Sequence, residues 1–166
     1  APIAVPADPS SAAFPMIVTF VRISGVLRRW FPIDLLDLTT LAPTVDAVLA
    51  HFAPLGLAWE INRADAFGQV RARAVLSLDA ATGEVWTIAA LEAAKADKHR
   101  HNAGGDYGEM IVTLAGELVD TDDRGQPVTL GANSVHFHGA GTTHQARADR
   151  FWLGLFHQPR GITPVE

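Results

Sequence analysis

Six of the seven histidines lie between residues 99 and 157, and the chain contains no cysteine. The side chains able to do chemistry are therefore imidazoles and carboxylates. His99 and His101 stand two apart, Glu109 follows eight residues later, and Gly116 lies seven beyond that. A second group runs from Gly131 to Gly139-Ala140-Gly141-Thr142-Thr143-His144. On a strand, residues two apart share a face, so His99 and His101 would present two imidazoles to one point; on a helix they would diverge. A glutamate on the neighbouring antiparallel strand would add an oxygen, and a histidine from a distant hairpin would close the set. Imidazole with carboxylate suits Zn, Fe, Mn or Ni. Three or four protein ligands leave positions for water or substrate, as catalytic sites require.

The elements that must position these residues read mainly as strands. Runs at 70–78, 84–91, 109–119, 129–137 and 151–156 carry strand composition and are separated by Gly- and Asp-rich turns at 79–83, 120–125 and 139–141. This pattern predicts an all-β sandwich or barrel over about residues 58–160. Before it, Thr44 reads as an N-cap for apolar positions 45, 48, 49 and 52, and Pro54 and Gly56 end the helix. Residues 1–13, rich in Pro, Ala and Ser, read as an extended arm or a disordered tail, and 14–42 give no clean period. The stretch 89–98, AALEAAKADK, has high helix propensity, and its true state decides where His99 and His101 point.

Composition excludes several function classes. The chain has 166 residues, enough for one domain or slightly more, and 48% are hydrophobic, which places it among packed globular chains. A net charge of -5 argues against nucleic acid or an anionic membrane as partner. Without cysteine there is no disulfide framework, thiolate metal site or cysteine nucleophile. The apolar run at 16–21 ends at Arg22, too short to span a membrane, and it lacks the features of a signal peptide. The cytoplasm is the default expectation.

These motifs resemble those of the cupin superfamily. In its first motif a His-x-His precedes a Glu and then a Gly seven residues on, matched here by His99, His101, Glu109 and Gly116. In its second, a Gly leads to a Pro-x-Gly-x-x-His turn, matched by Gly131, Gly141 and His144. The resemblance covers about residues 85–157. It implies an RmlC-like single-domain metal cupin, an all-β jelly-roll barrel (a double-stranded β-helix) at 58–166. An N-terminal arm and helical extension at 1–57 would pack on the barrel. It also implies that the segment leading to His99 is strand. The implied metal ligands are His99, His101, Glu109 and His144, holding one divalent metal, Fe(II) or Zn(II) foremost, with Mn or Ni as alternatives. A homodimer is the family expectation. Three features depart from the pattern. Ala93-Ala94-Lys95 replaces the glycine region before the paired histidines, Gly139 replaces the proline, and seven residues rather than three or four separate His101 from Glu109. The longer loop leaves two alternatives to Glu109 as a ligand: a three-histidine site, or substitution by Asp106.

Other residues admit two readings. His136 and His138 alternate on one run, either facing the metal or facing outward. Tyr107, the only tyrosine, is a proton donor to substrate or a packing residue. Glu109, Tyr107 and His138 are the candidate catalytic groups. His157 and His51 read as surface, the acidic run at 120–123 as a solvated hairpin tip, and Trp86, Phe137, Phe151, Trp152 and Phe156 as barrel core or pocket wall. Lys95 and Asp97 share parity with His99 at the barrel mouth. Arg71 and Arg73 share a face that either holds a substrate carboxylate or is simply exposed, the latter being the commoner case.

Two functional classes follow from the resemblance. One is a metal cupin enzyme acting on a small organic molecule, with acetylacetone dioxygenases as the nearest family likeness and oxygen-dependent cleavage of an activated carbonyl compound as the reaction; isomerase or lyase chemistry is the variant. The other is a non-catalytic zinc-binding sensor or ligand-binding module like the cupin domain of ChrR-type anti-sigma factors. The single N-terminal helix and absent cysteines disfavour the anti-sigma role itself.

Overall fold

The computed structural model describes residues 25, 27–64, 69–121 and 124–166. The arm expected at 1–13 lies outside the described residues. The chain divides into two compact units, Ala1–Asp37 and Leu38–Glu166. In the first, the described residues form a helical turn at 27–30 and a 3-10 turn at Ile33–Leu36.

The second unit holds the predicted helix, α1 (Val45–His51). Thr44 Oγ1 accepts the Ala47 N–H at 3.1 Å, as an N-cap should. The Val45 N–H donates to Glu92 Oε2 at 2.9 Å, so a carboxylate from the barrel also sits at the positive end of the helix. Val45 and Val48 turn inward and are fully buried.

Among the described residues eleven strands follow: β1 (Glu60–Ala64), β2 (Gln69–Leu78), β3 (Val85–Lys95), β4 (His99–His101), β5 (Glu109–Gly116), β6 (Leu118–Thr121), β7 (Pro127–Leu130), β8 (Val135–His138), β9 (Thr143–His144), β10 (Arg147–Gln158) and β11 (Ile162–Pro164). The all-β expectation holds, and the helix-prone segment at 89–98 is strand as far as Lys95. It is hydrogen-bonded between β2 and β10, with Ala89, Ala90, Leu91 and Ala94 buried, and that pairing and burial override the propensity of its alanines. The run expected at 129–137 is two strands, because at the turn 131–134 the chain leaves its pairing with β6 and takes up a new one with β5.

The strands form two antiparallel sheets. In the larger, β1-β2-β3-β10-β5-β8 are neighbours, with β6 joining β10 to β7; in the smaller, β4 lies between β11 and β9. Leu91, Ile111, Leu118, Leu130 and Trp152 form the core between strands of the larger sheet. Trp152 Nε1 donates to Thr113 Oγ1 at 2.9 Å, so the one polar atom of that buried ring is satisfied.

Two backbone features shape the site's surroundings. Gly108 precedes Glu109 where a Cβ would lie 2.4 Å from Gly139 O and 2.6 Å from His101 Cβ, so only glycine lets the loop close against the paired histidines. Ala93 takes φ +47°, a left-handed conformation that costs a non-glycine residue about 1–2 kcal/mol. This is the region where the resemblance leads one to expect glycine, so the backbone requirement persists although the residue has changed.

Candidate metal centre

The small sheet supplies three of the four metal-ligating candidates. In β4, His99 and His101 are buried while Arg100 between them is exposed, as period two requires. β9 pairs with β4 so that His99 and His144 are direct cross-strand partners. Glu109 comes from the larger sheet, at the start of β5 opposite His138. This corrects the expected wiring: the neighbouring strand contributes His144, and the glutamate arrives from the other sheet. The seven-residue loop is what lets the chain cross between sheets and still deliver Glu109, fully buried, to the same point.

The four side chains converge, with one ligand atom from each lying within 4.8 Å of the others. His144 Nε2 lies 3.0 Å from His99 Nε2 and 3.0 Å from Glu109 Oε1. His99 Nε2 is 3.3 Å from Glu109 Oε2, and His101 Nε2 is 3.7 Å from Oε1.

Each imidazole is anchored by its other nitrogen. His99 Nδ1 donates to the Asp97 carbonyl at 2.8 Å. His101 Nδ1 donates to Thr142 Oγ1 at 3.0 Å, whose own proton goes to Gly139 O at 2.6 Å. His144 Nδ1 donates to both oxygens of Asp120, at 2.9 and 3.0 Å. Each acceptor assigns the proton to Nδ1, so in the neutral rings all three Nε2 atoms point lone pairs at one another and at a carboxylate. Three lone pairs and an anion so close in a buried site require a cation among them. His101 Nε2 and Glu109 Oε1 are moreover buried without a hydrogen-bond partner; the 3.0 Å approach of His144 to Oε1 lacks hydrogen-bond alignment. A divalent transition metal fits this donor set in type, number and orientation, and the anchored Nδ1 atoms are the supporting contacts such ligands use.

The electrostatics agree. Burial opposes ionisation of Glu109, but the close imidazoles of His101, His144 and His99 outweigh it and hold the carboxyl well below its usual range. Asp120 is likewise lowered, against burial, by hydrogen bonds from His138 and His144. Burial disfavours the charged form of His144, yet Asp120 and Glu109 overcome this and raise it to about 9. His101 is lowered, chiefly by burial, with Glu109 only partly compensating. Without metal, a proton on His144 therefore occupies the position where the donors converge.

No family model matches the sequence, and no curated protein matches it. Solved structures do. An RmlC-like cupin protein from Ralstonia eutropha JMP134 superposes with TM-score 0.50 at 12% identity, over 65% of this chain and 68% of that one. An acetylacetone-dioxygenase-like protein from Methylibium petroleiphilum PM1 gives 0.52 at 15%, over 67% and 76%. The DMSP lyase DddQ from Ruegeria pomeroyi DSS-3 gives 0.51 at 22%, over 72% and 66%. This chain has the cupin fold.

Within the cupin barrel, several expectations are corrected. Asp120 is no solvated hairpin tip: it is 2% exposed and joins His144 to His138, whose Nε2 lies 2.8 Å from Asp120 Oδ2. It shares strand parity with buried Leu118, the signal that could have found it. His138 faces inward, with its ring 4.0 Å from that of His144 and 4.8 Å from that of His136. Asp106 is exposed and lies outside the cluster, so it does not substitute for Glu109.

Tyr107 and His157 meet elsewhere. The Tyr107 hydroxyl bonds His157 Nδ1, whose Nε2 lies 3.1 Å from Glu84 Oε1. His157 also stacks on Trp86 with centroids 4.1 Å apart, so it is not the surface residue expected. Phe137 is 40% exposed rather than core, with its ring against Tyr107, whereas Trp86, Phe151 and Trp152 are buried. His51 is half-buried at the end of α1.

A cavity of about 120 Å³ adjoins the metal centre. His99 and Gln158 line it together with Leu91, Phe156, Arg71 and Arg73. Gln158 Nε2 donates to Glu109 Oε2, tying the cavity wall to the cluster. The two arginines therefore line a pocket instead of a featureless exposed face, and Asp97 lines it with them as the parity argument expected. Lys95 lines an adjoining outer cavity.

Proposed function

We propose that this protein is a mononuclear metal cupin enzyme acting on a small organic molecule. His99, His101, His144 and Glu109 hold one divalent transition metal, Fe(II) or Zn(II) foremost. The observation that carries this reading is the convergence of three imidazole lone pairs and a buried carboxylate on one point, with every Nδ1 anchored from behind.

Bound there, the metal would supply Lewis acidity and open coordination positions. The chain's own residues do the rest. Asp97 O, Thr142 Oγ1 and Asp120 fix the three rings. Gln158 orients Glu109. Leu91 and Phe156 give the cavity an apolar wall that limits water beside His99.

For the reaction, we infer oxygen-dependent cleavage of an activated carbonyl compound. The likeness of fold to an acetylacetone-dioxygenase-like protein suggests this chemistry, and the nitrogen and oxygen donor set suits iron. The fold likeness to a lyase keeps elimination as the variant. A second reading, a zinc module without turnover, draws on a specific feature: four protein donors can fill a tetrahedral zinc shell. The cavity reaching His99 favours the enzyme. Reconstitution with Fe(II) and measurement of oxygen uptake with activated carbonyl compounds, both a neutral 1,3-diketone and a short-chain 3-oxo acid, tests the choice. Substrate-dependent uptake supports the dioxygenase; tightly held zinc and no uptake with iron support the sensor.

A further inference from the structure

The cavity beside His99 has a charged side that the metal reading does not use. Arg71 and Arg73 project from one face of β2 and pair in register with Leu91 and Ala89 of β3, both of which line the same cavity. Arg71 spends Nη1 on Asp97 Oδ1 at 2.6 Å and on the Lys95 carbonyl at 3.3 Å. Its Nε and Nη2 make no hydrogen bond to the described residues. Arg73 spends Nε on Glu60 at 3.1 Å, and both its Nη groups are similarly open. Each guanidinium therefore keeps donors to offer a ligand.

The charges around these arginines do not cancel. Arg71 and Asp97 line both this cavity and an outer, more open one that includes Lys95. Among the described residues that line the two cavities, Arg71, Arg73 and Lys95 face Glu60 and Asp97, a balance of one positive charge at the approach to the candidate metal centre. The existing ion pairs are substantially exposed, with Asp97 and Glu60 side chains 67% and 65% accessible, so such pairs hold their arginines weakly and a ligand can share them. Apolar side chains, Leu91, Phe156 and Ile162 among them, share the remaining lining with Asn62, Thr87 and Gln158, and the volume of about 120 Å³ is well below that of a site for a drug-sized ligand. Asp97 also ties the two ends of the cavity together, because its side chain holds Arg71 while its carbonyl fixes His99.

We propose that the ligand of this cavity is a short-chain monocarboxylate, its carboxylate held by Arg71 with Arg73 beside it and its apolar portion lying along Leu91 and Phe156 toward His99. The proposal rests on the metal-cupin reading for its catalytic meaning. In the dioxygenase case it makes the substrate an acid bearing an activated carbonyl, not a neutral diketone. Guanidinium suits this task because its planar donors match a carboxylate, and one net charge matches a monoanion better than a dianion.

The test is a calorimetric titration of the full chain with butyrate and with butyramide, which differ in charge but little in shape, with metal content measured on the same samples. Butyrate binding at least about tenfold tighter than butyramide is expected. Arg71→Gln should weaken butyrate about tenfold with metal content unchanged, and Arg73→Gln should weaken it less; thermal melts confirm that both variants fold. Equal binding of butyrate and butyramide overturns the proposal. So does butyrate binding that is unchanged in Arg71→Gln, since the anion would then be held by metal alone, and so does no butyrate binding at millimolar concentration. If the chain takes up no metal, the metal-centre reading fails by itself, while the same titration still decides whether Arg71 binds the carboxylate.

Discussion

Two histidine groups in this barrel have opposite chemistry. In the inner group, His99, His101 and His144 each commit one nitrogen to a protein acceptor and direct the other toward Glu109. In the outer group, His157 commits both nitrogens, one to Tyr107 and one to Glu84, and stacks on Trp86. Both groups contain a carboxylate and at least one buried or half-buried imidazole. The difference is the number of nitrogens left to a ligand: one for each inner ring, none for His157. Histidine count and burial do not set a candidate metal site apart, whereas the direction of the uncommitted lone pairs does.

The sharpest way to break this comparison is to remove one ring from each group. His144→Ala deletes a donor at the convergence point and should abolish metal binding in equilibrium dialysis. His157→Ala should leave the stoichiometry unchanged and lower only stability. Equal loss in both variants would erase the distinction.

Asp120→Asn probes the anchor instead of the ligand. It removes the charge that orients His144 Nδ1, and loss of such a supporting contact typically costs about 10–100-fold in metal affinity. An affinity within twofold of the parent would show that Asp120 serves packing alone.

The two groups should also differ in response to pH. His144 is raised to about 9 in the folded chain without metal, against 6.5 for an unperturbed histidine. Its contribution to stability is fully present below about 6.5 and is lost as pH rises through about 9. The lowered Glu109 and Asp120 act in the other direction, contributing above the ordinary carboxylate range and failing as acid reprotonates them. Melting temperatures of chelator-treated protein should therefore fall between pH 6.5 and 9. Metal-loaded protein should not show that fall, because metal has displaced the proton. Parallel profiles for the two forms would contradict the assignment.

The smallest expected effect lies outside both groups. Ala93→Gly relieves the left-handed strain at φ +47° but adds freedom to the unfolded chain, so stability should rise by up to about 1 kcal/mol in denaturant melts, with metal binding unaltered. A decrease would mean that the Ala93 side chain contributes contacts worth more than the strain.

Much of the inner group was legible in the sequence because period two and motif spacing are local. His99 and His101 share a face on β4 as the His-x-His spacing requires, and Glu109 keeps its distance to Gly116 although the preceding loop is longer. What failed was non-local. Asp120 sits in an acidic stretch whose composition reads as a turn, and only the pairing of β6 with β7 and β10 turns it inward. His157 was read as surface because β10 continues past Phe156 to Gln158 against β3, an extension fixed by the partner strand. All five residues of β1 are exposed and carry no alternation, so nothing in its sequence marks it as a strand.

The central claim is that the inner histidines and Glu109 bind one transition metal per chain. Elemental analysis of protein purified without a metal-affinity tag, repeated after chelation and re-addition of Fe(II) or Zn(II), measures it directly. The account predicts close to one equivalent of metal, lost in His99→Ala, His101→Ala and His144→Ala. A chain that holds no transition metal as purified and takes up none on re-addition would contradict it.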